Sequence, residues 1–152
     1  MKTNHSLVQE IKLSYSPAKF SYEAKKIQCS EDALKVLLPF YNQDTIACQE
    51  EFLLLLLNKA NMPIGVIPIS KGGVSCTVVD VKLVMSIALK SLASSIILSH
   101  NHPSCSTEPS DDDKRLTRKI KEACEVMDIK LLDHLIVAPD NRYRSFADMG
   151  EL

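Results

Sequence analysis

Apolar and polar positions along the chain follow two periods. In "EEFLLLLLNKAN", six apolar residues from Phe52 to Leu57 stand between polar brackets. A run that short predicts a strand buried on both faces. "MPIGVIPIS" follows after a polar stretch that suits a hairpin, and Pro63 and Pro68 place this second strand at a sheet edge or beside a bulge. Gly72-Gly73 mark a turn. Between Asp80 and Leu92, the residues Val81, Val84, Ala88 and Leu92 recur at helical spacing. "SSIILS" is a third strand that delivers His100 at its end. Ser110 to Met127 is the clearest helix, with Leu116, Ile120, Ala123 and Met127 on one face. "IKLLDHLIVA" reads as a further buried strand, "PDNR" as a turn and "YRSFAD" as a final short strand.

Toward the N-terminus the pattern is weaker. Ser30 is placed to cap a helix reaching about Tyr41, with Asp32 in its first turn. Alternation from Ile11 to Tyr15 fits an added edge strand. The order β-β-α-β-α-β predicts a single α/β domain, a mixed β-sheet flanked by helices, and 152 residues suffice for one such domain.

Composition narrows the function classes. No apolar run approaches the roughly 20 residues that span a bilayer, and "MKTNHSLVQEIKLSYS" lacks the apolar stretch of a signal peptide. The expectation is a cytoplasmic protein. A net charge of −1 gives no sign of a phosphate-binding surface, so direct nucleic-acid binding is not expected, although a local basic patch stays open. The five cysteines are odd in number and form no C-x-x-C pair, which argues against a disulfide framework and a four-cysteine zinc site. Most of them read as small buried hydrophobes.

The candidate chemistry lies in "ILSHNHPSCSTEPSDDD", residues 97 to 113, where a buried strand runs into a polar loop. Ser110-x-x-Asp113 before an apolar periodic run is a capping-box pattern, which explains both residues without a metal. The same residues permit a second reading. On an extended segment positions i and i+2 point to one side, so His100 and His102 can converge on one ion. The first turn of the following helix can add Asp113. Two imidazoles and one carboxylate leave the fourth tetrahedral position open, as catalytic zinc sites do. Pro103 and Pro109 stiffen the intervening loop.

His100-x-His102, seven residues, Ser110, two residues and Asp113 resemble the JAMM motif of the JAB/MPN metalloproteases. "ILSHNHPS", "PSDDD" and "LLDHLIV" are similar to the RadC branch of bacterial JAB-domain proteins, and the likeness runs from about residue 28 to the C-terminus, including "EEFLLLLLN" and "YRSF". Residues 1 to 28 then form an N-terminal extension. The resemblance implies a JAB/MPN fold related to cytidine deaminases, with His100, His102 and Asp113 as Zn2+ ligands. It also implies that Ser110 helps hold a developing oxyanion. The family needs an upstream glutamate two residues before a phenylalanine, which selects Glu50 over Glu51. Strand alternation allows only one of the two to face the site. Read alone, Glu50 is a solvated carboxylate at a strand entrance.

These roles imply a zinc-dependent hydrolase of peptide or isopeptide bonds acting on a peptide or protein substrate. A catalytically silent JAB scaffold and a DNA-repair or mobile-element accessory protein are the alternatives. Base deamination is not expected, because the H-x-E…P-C-x-x-C pattern is absent. Two departures from the RadC pattern stand out. Cys105 replaces the glycine of HNHPSG, which strains the backbone if that position needs positive φ. A helix-hairpin-helix region, common at the N-terminus of RadC-like chains, is not expected in 152 residues. Asp133-His134 interrupts a strand, and only one of the two can look toward a metal. Either it bonds a ligand imidazole or both form a satisfied structural pair, the reading preferred here. Substrate identity and oligomeric state leave no mark in the sequence.

Overall fold

β1 (Glu51–Leu57) is buried at every position. Among the described residues it lies second in a five-stranded sheet, with its neighbours in the order β2-β1-β3-β4-β5. The computed structural model describes residues 25–72 and 78–152. The edge strand expected at Ile11 to Tyr15, and Gly73 of the expected turn, lie outside them. β2 (Pro63–Lys71) pairs antiparallel with β1, and β3 (Ser95–Asn101) pairs antiparallel with its other side. β4 (Lys130–Val137) runs parallel to β3, and the short β5 (Tyr143–Ser145) closes the far edge antiparallel to β4. The mixed sheet agrees with the sequence expectation.

Strand parity divides the core into two layers. Phe52, Leu54 and Leu56 join Ile96 and Leu98 beneath α2 (Val81–Lys90) and α3 (Asp111–Val126). Leu53, Leu55 and Leu57 face the other way, onto Leu34 and Leu37 of α1 (Ser30–Leu37). Burying each such side chain contributes roughly 1.5–3 kcal/mol, so both faces of β1 anchor the sheet. β2 is the edge strand. Its ladder slips between Phe52 and Leu53 and between Leu56 and Leu57, opposite Pro68 and Pro63, which have no N–H to give. The hairpin before β2 closes through Asn61 at φ +58, while Asn58 Oδ1 accepts from the N–H groups of Ala60 and Met62.

The parallel β3–β4 pair requires a crossover, and α3 supplies it. Consequently the C-terminal end of β3 and the N-terminus of α3 meet at one end of the sheet. Ligand sites in open α/β folds gather at such strand ends.

Several local expectations are corrected. Ser30 does not cap α1: Cys29 holds that position without a side-chain bond, and Ser30 Oγ instead donates to Asp148 Oδ2 at 2.5 Å. The helix stops at Leu37 and tightens into a 3-10 turn at Leu38–Phe40, because Pro39 cannot continue the ladder. Leu92 lies past the end of α2 at φ +52 and is exposed, so the buried stripe there is Val84, Met85 and Ala88. On α3 the deepest stripe is Thr117, Ile120 and Cys124, and Met127 is half-exposed outside the helix. "YRSFAD" is a strand only over its first three residues. The cysteines also depart from expectation, since Cys124 is buried whereas Cys29, Cys48 and Cys105 are exposed. Those three stand in turns and loops, where no apolar layer covers them. Among the described residues no helix is long and apolar enough to cross a membrane.

Candidate metal centre

β3 carries His100 into the helical side of the sheet. The backbone stays extended beyond it, for the His102 N–H donates to Val137 O at 2.9 Å and prolongs the β4 ladder. His100 and His102 therefore project to one side, with Nε2 atoms 2.9 Å apart. Asn101, between them, points the other way. Its Oδ1 accepts from the Glu51 N–H at 2.7 Å, and its Nδ2 donates to Ile46 O and Gln49 O.

The loop then turns at Cys105, whose N–H donates to His102 O and whose φ is +64. Here the cysteine stands in the left-handed region that glycine occupies without a steric cost. Arg142 Nη2 pins this turn by donating to Cys105 O. Ser110 caps α3 in a full capping box: its Oγ accepts from the Asp113 N–H, and Asp113 Oδ2 accepts from the Ser110 N–H at 2.7 Å. The capping-box reading of Ser110 and Asp113 therefore holds. It does not displace the metal reading, because Asp113 Oδ1 lies 3.1 Å from His100 Nε2, and Oδ2 lies 3.6 Å from His102 Nε2.

Among the described residues His100, His102 and Asp113 form the group able to hold a metal ion, each offering one ligand atom within 4.8 Å of the others. Zinc bonds of about 2.0–2.2 Å in a tetrahedron set ligand separations of about 3.3–3.6 Å. The imidazole nitrogens, 2.9 Å apart, stand closer than such an edge, while the Asp113 carboxylate reaches His100 through Oδ1 at 3.1 Å and His102 through Oδ2 at 3.6 Å. The donor chemistry agrees. His102 Nδ1 lies 2.9 Å from Ser106 O, and a carbonyl can only accept, so the ring's Nδ1 proton points away from the group. A carboxylate and an imidazole lone pair are left facing inward. The residues fit a divalent cation.

The titration of the site follows from the same contacts. Burial pushes the Asp113 carboxyl up, but the close approach of the His100 and His102 imidazoles and the Ser110 hydroxyl outweighs it and holds the group well below the ordinary carboxylate range. The Asp113 carboxylate beside it raises the His102 imidazole against opposing burial. Without a cation, a proton is drawn to the same place.

Glu50 precedes β1 and shares the parity of Phe52, which pairs with His100 across the ladder. Burial raises its carboxyl; His100 and His102 pull it back, and Asp113 pushes it up again, so Glu50 lies within the field of the group. Glu51 has the opposite parity. It is buried against Lys71, 3.0 Å away, and Thr45. Ser110 is exposed at the rim, and its Oγ donates to Asp113 Oδ2 at 2.6 Å.

The sequence profile of the RadC-like JAB domain family matches residues 27–151. The chain belongs to this family. It is 44% identical over 126 residues to a UPF0758 protein of Flavobacterium johnsoniae, covering 83% of this chain and 53% of that one. A UPF0758 protein of Porphyromonas gingivalis is 43% identical over 128 residues, covering 84% and 55%. Another, from Listeria monocytogenes, is 36% identical over 124 residues, covering 82% and 54%. The chain spans about half the length of the curated relatives it matches.

In this RadC-like JAB domain the Asp133-His134 pair divides. Asp133 is structural: it accepts from Ser145 Oγ at 2.6 Å and from the Ala147 N–H, and burial raises its carboxyl. His134 gives its backbone N–H to Asp133 Oδ1 at 2.7 Å, but its ring turns away from that pair. It is fully buried, its Nε2 lies 2.8 Å from His100 Nδ1, and burial lowers its pKa well below the ordinary histidine value. Thr117 touches the other His134 nitrogen and was not singled out from the sequence. The available signal was its place four residues after Asp113, on the stripe that continues to Ile120 and Cys124.

Proposed function

We propose that this JAB domain is a zinc-dependent hydrolase of peptide or isopeptide bonds. The observation that carries the reading is the convergence of His100, His102 and Asp113, whose ligand atoms lie within 4.8 Å of one another, in a donor set that suits zinc. His100, His102 and Asp113 would hold the ion. Zinc bound there would supply Lewis acidity toward a carbonyl and bring the pKa of a water to about 7.

The remaining work falls to the chain. Glu50 takes a proton from the attacking water as the water oxygen adds to the carbonyl carbon. It returns that proton to the leaving nitrogen as the C–N bond breaks, giving a carboxylic acid and an amine. Ser110 sits at the rim with a hydroxyl that can turn from Asp113 toward the oxygen where negative charge develops. Phe52 and the buried strands behind it form an apolar floor.

The test separates an enzyme from a silent scaffold. Zinc-loaded protein is screened against a peptide library, and cleaving fractions are repeated with Glu50→Gln and Glu51→Gln. Glu50→Gln is expected to keep its zinc and lose about 10²–10⁴-fold in rate, whereas Glu51→Gln retains activity. Equal rates for wild type and Glu50→Gln would reject the base assignment, and wild type without zinc would reject the whole reading.

A further inference from the structure

The metal-ligating nitrogen of a histidine must be free of its proton, and the partner of the other nitrogen normally decides this. That partner is usually a carboxylate or a carbonyl, which can only accept. Here it is a second imidazole, His134, which can either donate or accept. Something else has to set the direction.

Thr117 does so. Its Oγ1 lies 2.6 Å from Asp113 O and 2.6 Å from His134 Nδ1. A carbonyl has no proton, so the single hydroxyl proton occupies the contact with Asp113 O. The proton in the second contact must then come from His134 Nδ1. His134 lies fully buried between the rings of Phe52 and Phe146. Among the described residues its ring nitrogens bond to Thr117 and His100, and neither nitrogen bonds a carboxylate. An unpaired buried cation is costly, so the ring is neutral and its Nε2 bare. The proton between His134 Nε2 and His100 Nδ1 therefore belongs to His100. What remains on His100 is an Nε2 lone pair, facing His102 and Asp113.

We infer that Thr117, acting through His134, fixes the tautomer of His100 and leaves its Nε2 available to a metal, making Thr117 and His134 positioning residues of the centre. The inference builds on the proposed zinc site. One turn of α3 thus supplies a ligand, Asp113, and orients the proton of another, because Thr117 bonds the Asp113 carbonyl itself. With valine at 117, His134 Nδ1 loses its acceptor and the ring can turn its proton to Nε2. His100 would then have to accept at Nδ1 and carry its own proton on Nε2, where it blocks the ion.

Two measurements on the full chain test this. Ring-nitrogen NMR of zinc-stripped protein, above the histidine titration range, reads the tautomers without any metal. Both His134 and His100 are expected as Nδ1-protonated forms in wild type and in Thr117→Ser, and a His134 proton on Nε2 would overturn the relay. Zinc affinity is then measured by chelator competition. Thr117→Val is expected to bind about 10–100-fold more weakly, with His100 shifted toward the Nε2-protonated form, while Thr117→Ser stays close to wild type. Unchanged affinity in Thr117→Val, or equal losses in the valine and serine variants, would overturn the proposal. If Thr117→Val does not fold, the ring spectra of wild type and Thr117→Ser decide alone. Wild type that binds no zinc would refute the hydrolase reading, while the tautomers would still be read from the same spectra.

Discussion

Phe52 lies flat against His100, with ring centroids 5.9 Å apart and planes within 10° of parallel. The two residues also face each other across the β1–β3 ladder, and Phe52 meets His134 edge-on at 5.6 Å. The imidazole that would bind metal is therefore clamped by the core. Phe52→Leu is expected to cost about 1–3 kcal/mol of stability in urea denaturation, through the lost ring and the gap it leaves. It should also weaken zinc binding in a chelator competition, since His100 gains room to rotate. A variant as stable as wild type with unchanged zinc affinity would show that the clamp contributes nothing.

Cys105 occupies φ +64, where a side chain with a Cβ is penalised by roughly 1–2 kcal/mol. Glycine removes that penalty but brings a backbone-entropy cost of roughly 0.5–1 kcal/mol. Cys105→Gly is thus expected to be as stable as wild type or up to about 1 kcal/mol more stable. Its zinc content should not change, because the sulfur is exposed and its contact is with Pro103 O. Loss of zinc in Cys105→Gly, measured by elemental analysis, would make the thiolate a fourth ligand and close the open coordination position.

Acid should expose His134. Its folded pKa lies well below the ordinary 6.5, chiefly through burial. Below that value the unfolded chain gains a proton at His134 that the folded chain refuses, so the unfolded state is favoured as pH falls. The contribution is complete above 6.5 and is lost progressively toward the folded pKa. Urea denaturation of zinc-stripped protein between about pH 8 and about pH 5 is expected to show wild type losing stability more steeply than His134→Gln, which has nothing to titrate there. Parallel curves would mean that the ring takes up its proton as readily in the fold as in the unfolded chain.

The strands and the cluster of His100, His102 and Asp113 were legible because they rest on local signals. The Phe52–Leu57 run reads as a central strand wherever it is met, and both prolines of β2 announce an edge. Parity puts Glu50 and Glu51 on opposite faces, and only the family resemblance chooses Glu50. What escaped depends on who donates to whom. Ser30 carries every mark of a cap, yet a carboxylate far along the chain, on Asp148, claims its hydroxyl. Thr117 is an unremarkable helix residue until β4 brings His134 against it, 17 positions away in sequence. His134 reads as a structural residue in the sequence, since no periodicity tells which imidazole nitrogen meets which neighbour. The exposed cysteines escaped for a simpler reason: residue type predicts burial only where an apolar layer exists to receive it.

The two oxygens of Asp113 serve different masters: Oδ2 closes the capping box of α3, and Oδ1 approaches His100. Asparagine splits these duties in a way that aspartate does not. Its single oxygen can take the Oδ2 place and accept from the Ser110 N–H, while its NH2 turns to the His100 lone pair. Each inward group then has a partner, and the charge that invited a cation is gone. Asp113→Asn should accordingly melt within about 1 kcal/mol of zinc-free wild type yet hold no zinc, as measured by calorimetry and elemental analysis. Such a protein would be a self-satisfied counterfeit of the centre, its vacancy filled by an amide. In this domain, then, an intact and well-folded loop says little about whether the metal is present.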